Sequence, residues 1–320
     1  MTTTTFTIAC CALALVGCDG GAGPLDAPGI DEHVAVEIDE PVDAFAFVES
    51  DLVIATATSL RRVSLDGSER WRVPSDGLVR MLVARPGVIL AGGNRQPELV
   101  AYRDDDGSVA WSRNTQYLAD VVLGADGDAV VSTLYGQIIA LDPSSGTEHW
   151  GASGPYSKQA ADLARDRDGN LAGKYYSGDT ELYRYDPSGA VLASWRMPTP
   201  LGQMAFEATG ELLGGSYPTF EQSTPVAYTR FDRTGRATTF VSEAGPALRF
   251  GFAPRTDGIF QWHRFTDPGP VTVSSLDRAG TLRWSFEIAK DSTRVFGPVC
   301  ADDARCAVAE SASIHVFTVP

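Results

Sequence analysis

Lysine is almost missing from this chain: Lys158, Lys174 and Lys290 are the only three in 320 residues. With the arginines they give 26 basic residues against 41 acidic ones, a formal net charge of -15. Such a balance excludes recognition of nucleic acid through clustered basic side chains, and electrostatic docking on anionic lipid. Cysteine is scarce as well, with five residues and no CxxC pair, and there are four histidines, so no zinc-type cluster is on offer. No histidine accompanies a G-x-S-x-G nucleophile motif. Long apolar runs are absent too. The main one, Phe6 to Val16, is too short to cross a bilayer. What remains is an ordinary globular share of hydrophobic residues, 43%, enough for a sizeable core, together with 32 glycines.

The apolar run suits the central region of a secretion signal. It ends in Leu15-Val16-Gly17-Cys18, which resembles the bacterial lipobox. That resemblance implies cleavage before Cys18 and lipidation of its thiol, with 1–17 as signal peptide. An ordinary secretion signal cut nearby is the alternative. Residues 18–31, rich in Gly, Pro and Asp, read as a flexible tether reaching about 20 Å, and 32–320 as the folded domain. The expected location is extracytoplasmic in a bacterial cell envelope, anchored through Cys18 on the outer membrane or another periplasm-facing membrane. Cys10 and Cys11 leave with the signal. Cys300 and Cys306 then remain in the folded part, spaced for a disulfide across a hairpin.

One phrase recurs along the folded part. "SLDGSERW", "YRDDDGSVAW", "ALDPSSGTEHW", "RYDPSGAVLASW", "RFDRTGRATTF" and "SLDRAGTLRW" end at Trp71, Trp111, Trp150, Trp195, Phe240 and Trp284, at spacings of 40, 39, 45, 45 and 44 residues. Short alternating segments and a second turn fill each interval, giving four short strands per unit, the period of a β-propeller blade. Within the phrase, Asp can accept hydrogen bonds from its own turn and Gly can supply a positive φ. The aromatic residue on the fourth strand can cover its own turn and wedge between blades, burying roughly 150–250 Å².

The phrase resembles the repeat of quinoprotein-like (PQQ-type) propellers, roughly Ala-x-Asp-x-x-Thr-Gly-x-x-x-Trp. Ala140, Asp142, Ser145, Gly146 and Trp150 carry the likeness most fully. It implies an all-β fold, a β-propeller; many relatives have eight blades, but the copies of the phrase count out to seven four-stranded blades here. Six blades end in the aromatic residue. The seventh is completed by His33 to Asp39, which joins Ser313 to Val319 and so removes an exposed edge. The quinoprotein dehydrogenases of this superfamily use adjacent cysteines and a carboxylate–calcium site. The only adjacent cysteines here lie in the signal, so no cofactor is expected. "DRDGN" at Asp166 lacks the further carboxylates of a calcium loop and reads as a plain turn, and no metal is expected.

Trp262-His263-Arg264 is the one unusual aromatic and basic group outside the repeat phrase, and is the candidate ligand contact. The expected function is a membrane-tethered, non-catalytic scaffold that binds a protein, peptide or other ligand at its loop face. The alternative is a metal-dependent propeller hydrolase or lyase with its site at the central channel.

Overall fold

The structure is a computed structural model. It describes residue 30 and residues 32–319, apart from 76–78, 94–97, 116, 125–126, 154–158, 177–179, 198–200, 217–224, 266–267, 293 and 302–303. The expected signal peptide, Cys18 and nearly all of the tether lie outside the described residues.

Among the described residues there are 28 strands, no helix, and seven antiparallel four-stranded sheets. The first strand, β1 (Glu32–Glu37), belongs to the last sheet. Blade 1 then runs from β2 (Val42–Val48) to β5 (Glu69–Pro74), and blade 2 from β6 (Val79–Arg85) to β9 (Val109–Arg113). Blade 3 spans β10 (Leu118–Leu123) to β13 (Glu148–Ser153), and blade 4 spans β14 (Gln159–Arg165) to β17 (Val191–Met197). Blade 5 spans β18 (Leu201–Phe206) to β21 (Ala237–Pro246), and blade 6 spans β22 (Arg249–Pro254) to β25 (Leu282–Ser292). Blade 7 takes β26 (Val295–Cys300), β27 (Arg305–Glu310) and β28 (Ser313–Thr318), and is completed by β1. The register is antiparallel, with His33 opposite Phe317, Ala35 opposite His315 and Glu37 opposite Ser313. First strands of successive blades adjoin all the way round, including β26 against β2, so the ring closes. The protein is a seven-bladed β-propeller.

Seven separate hydrophobic clusters make up the core, one for each seam between neighbouring blades. Ile30, counted with the tether in the sequence reading, packs against the cluster between blades 6 and 7, so the folded part begins at least there.

The repeat phrase forms the turn between third and fourth strands. In all six copies an Asp carboxylate accepts backbone N–H bonds, for example Asp142 from Ser144 and Ser145, and Asp277 from Ala279 and Thr281. The Ser64 and Ser144 hydroxyls, followed by these backbone donors, hold the Asp66 and Asp142 carboxyls down to about 2. The aromatic residue does not cover its own turn, as the sequence reading expected. It lies on the turn of the following blade. A Cβ on Gly107 would stand 2.6 Å from the Trp71 ring, and one on Gly146 2.8 Å from Trp111. Gly189 is similarly close to Trp150, Gly235 to Trp195 and Gly280 to Phe240. The indoles of Trp71 and Trp111 donate to the carbonyls of Asp104 and Pro143, again one blade ahead. The reason is geometric: the fourth strand is the outer edge of its blade, and the next blade's turn is the apolar surface it faces. Glycine is required at these positions twice over, by φ values such as +71° at Gly107 and by the ring lying against the backbone.

Two seams depart from this rule, because the composite blade has no turn between its third and fourth strands. Trp284 packs on Phe260 and Phe317 instead. At the closing seam Val34 and Val36 meet Leu65 with no indole. Cys300 and Cys306 face each other across β26 and β27 and are joined, S–S 2.01 Å.

Candidate functional site

First strands of all seven blades line the central channel, and most of them interrupt an apolar sequence with one polar residue near the start. Six of the seven carry a register shift there, at 42–44, 79–81, 118–120, 160–162, 201–203 and 296–299. A bulge re-aims the side chains next to it. The result is a cavity of about 350 Å³ bounded by blades 1, 2, 3, 5 and 7. Asp43, Arg80, Asp120 and Gln203 supply its polar wall, and Met81, Val121 and Phe296 its apolar one. Toward the opposite mouth a second cavity of about 610 Å³ is bounded by Phe47, Glu49, Arg85, Pro86 and Arg305.

The channel polar groups also bind the blades together. Asp120 accepts from the backbone N–H of Leu163 in the next first strand, 2.7 Å, and from Val121, 2.8 Å. Gln203 accepts from Phe252, 3.1 Å, in the same way. Lys174, on the second strand of blade 4 (Leu171–Tyr176), is 2% exposed. Its ammonium pairs with Asp162 and donates to the carbonyls of Leu201 and Gly202 in blade 5. Burial is the largest influence on Asp120 and pushes its carboxyl up to about 7. The neighbouring Asp162 charge adds to this, and two backbone donors and Lys174 oppose it. Asp43 is 7% exposed, and its carboxyl is also raised by burial. One carboxylate oxygen of Asp43 has no hydrogen-bond partner, and Arg294 stands 3.6 Å from the other. Arg80 occupies the same wall as Asp43 and Asp120, so charge alone does not select a ligand for this cavity.

The sequence-based candidate site is placed differently. Trp262, His263 and Arg264 lie on the second strand of blade 6 (Gly258–Arg264) and are all buried, at 6%, 9% and 2% exposure. The Trp262 indole donates to the Gly297 carbonyl, 2.7 Å, and serves the seam to blade 7. Burial lowers the His263 pKa. "DRDGN" forms a plain hairpin turn. Asp166 accepts from the backbone and side-chain amides of Asn170 at 2.8 Å, with Arg184 at 3.5 Å. Among the described residues no group of three His, Cys, Asp or Glu side chains converges as a metal site. Sequence reasoning missed Asp43, Arg80, Asp120, Asp162, Lys174 and Gln203. Their signal is a single polar residue inside an otherwise apolar first or second strand. It becomes legible only once those strands are known to line the channel.

Residues 55–216 match the sequence model of the family described as Outer membrane protein assembly factor BamB. The chain belongs to that family. Among solved structures, BamB from Moraxella catarrhalis is similar at 14% identity and a TM-score of 0.60, covering 91% of this chain and 89% of that one. The selenomethionine-substituted virginiamycin B lyase from Staphylococcus aureus is similar at 14% identity and a TM-score of 0.70, covering 90% of this chain and 99% of that one. Identity at this level shows the fold alone. No curated protein sequence gives a significant match. As a BamB-family propeller, the chain presents exposed aromatic residues on the face where its first strands begin. Tyr117 (57% exposed) and Tyr135 (67%) meet edge to face at 5.2 Å, and Phe265 is also exposed on that face. Tyr117 holds a φ of +66°, a costly conformation for a bulky residue.

Proposed function

We propose that this protein is a membrane-tethered, extracytoplasmic scaffold that binds a protein partner on the loop face and is not itself a catalyst. The observation that carries this reading is membership of a family described as an outer membrane protein assembly factor. The exposed Tyr117–Tyr135 pair, held at a strained backbone position on a rigid ring, supports it. Residues 1–17 are the proposed signal peptide, and Cys18 the lipidated anchor followed by the tether. β1 begins on the face opposite Tyr117 and Tyr135, so the anchor would leave that aromatic face free. The test pairs two measurements. Cys18→Ser should move the protein from membrane to soluble fractions. A photo-reactive residue at position 135 should cross-link an envelope protein in cells, and that cross-link should be lost in Tyr117→Ser. Retention of Cys18→Ser on the membrane removes the anchor, and a cross-link indifferent to Tyr117 removes the binding face. The second reading, a lyase or hydrolase, rests on Asp120, whose carboxyl is poised near neutrality in the channel. A stoichiometric divalent ion in the purified protein, read by mass spectrometry, would favour it over the scaffold.

A further inference from the structure

The strand that closes the ring is held by a pair of histidines. His33 of β1 and His315 of β28 place Nε2 and Nδ1 3.2 Å apart, with their rings nearly parallel at 10°. At this distance one ring must donate an N–H and the other must offer a lone pair, so the contact requires at least one neutral imidazole. The surroundings are apolar. His33 stacks on Phe317 at 4.7 Å and meets the edge of Phe286 on β25 at 5.2 Å. His315 is 9% exposed. A first proton would place a charge in this apolar seam. A second would set two donors and two positive charges against each other across 3.2 Å, with no acceptor between them.

We propose that the His33–His315 pair is an acid-sensitive latch whose protonation frees β1 from β28 and strips the closing blade of its outer strand. The release is confined to β1. Just beyond it, Asp39 and Glu40 are gripped by the fully buried Arg61 at 2.6 and 3.4 Å, and that clasp does not depend on histidine. Glu310 on β27 is the charged group whose field reaches His315 and favours its protonated form. The other charged residues on the four strands that meet here are Glu32 and Glu37 on β1, Arg283, Glu287, Lys290 and Asp291 on β25, and Arg305 on β27. Burial outweighs Glu310, so His315 is lowered. His33 is lowered to about 4 by burial and by His315 itself. Both folded values lie below the ordinary 6.5. The latch is therefore fully closed above that pH, and its stabilising effect is lost as the pH falls from about 6.5 toward 4.

Hydrogen–deuterium exchange on the full chain, corrected for intrinsic rates, reads the latch directly. Between pH 7.5 and 4.5 the protection of amides in 32–37, and of those in 313–318 that bond to β1 rather than to β27, should fall at least about tenfold, given the His33 displacement. Protection in 129–133 of blade 3 should hold. In the double variant His33→Phe with His315→Gln, which keeps a ring on Phe317 and leaves neither position able to titrate, the local loss should disappear. His33→Phe alone, in which only His315 still titrates, serves as the second variant if the double variant does not fold, and its loss should be smaller than that of the natural chain. Protection in β1 that ignores pH, a loss shared equally by blade 3, a loss that persists in the folded double variant, or an undiminished loss in His33→Phe would each overturn the proposal.

Discussion

If each blade's aromatic residue rests on the next blade's turn, adding one methyl group at the right glycine should act at a distance. Gly107→Ala places a Cβ where φ is +71° and the Trp71 ring lies 2.6 Å away. Left-handed backbone costs a non-glycine residue roughly 1–2 kcal/mol. Forcing the indole aside adds an overpacking cost of about 1–3 kcal/mol. Gly87→Ala is the matched control. Its φ is +89°, with nothing within 4 Å of the new Cβ, so it carries the backbone cost alone. Urea unfolding of both variants should therefore show Gly107→Ala less stable than Gly87→Ala by about 1–3 kcal/mol, the packing component. Against a total of about 5–15 kcal/mol, that difference is readable as a shift in midpoint. Trp71→Leu in the Gly107→Ala background should recover part of the packing loss by making room, as coupled neighbours do. Equal losses in the two glycine variants, or an alanine penalty that Trp71→Leu leaves unchanged, would refute the blade-to-blade docking.

Other consequences follow from the channel and the closure. Lys174→Met removes a buried cation, leaves the half-exposed Asp162 without its partner and the Leu201 and Gly202 carbonyls without their donor, and should cost about 1–3 kcal/mol in urea unfolding. Because Lys174 favours the Asp120 carboxylate, the same variant should also raise the Asp120 titration midpoint above about 7, measured by carboxyl carbon NMR. Deleting residues 19–29 should leave the melting temperature nearly unchanged. Extending the deletion through residue 37 removes Ile30, the β1 ladder and the apolar cover of the closing seam, and should lower the melting temperature sharply. Asp142 gives up its turn bonds only when protonated, so its contribution should be complete above pH 3.8 and decline as the pH falls through about 2. A carboxyl NMR titration of the folded protein checks that midpoint.

The architecture was legible because the repeat phrase combines a turn, a glycine and an aromatic residue at a regular period, and these features depend on local backbone chemistry. The closing strand was legible for a similar reason: "SIHVFTV" needed a partner, and "HVAVEID" had no blade of its own. The direction of docking was not, because whether Trp71 covers Gly67 or Gly107 depends on how one blade is rotated against the next. The channel groups were hidden for a different reason. Asp120 and Lys174 are polar residues 54 positions apart, and only the ring brings the lysine charge within reach of the Asp120 carboxyl. Trp262 stood out in the sequence because it lies outside the repeat phrase, and its buried indole, bonded to the Gly297 carbonyl, became legible only with the seam to blade 7 in view.

The docking of each aromatic residue one blade ahead gives every internal blade a plug on its outer strand and a socket at its glycine turn. Such a unit carries both halves of its own connection. A duplicated internal blade would therefore fit between its neighbours without any new interface, and a ring could grow from the inside by copying. Blade 7 has no such freedom. It offers no glycine socket to Trp284 and no indole to blade 1, relying on Phe317 in one seam and on Val34 and Val36 in the other. The place where the chain begins and ends is thus fixed in the circle. Circular permutation to another seam would have to rebuild two interfaces that only the present termini satisfy.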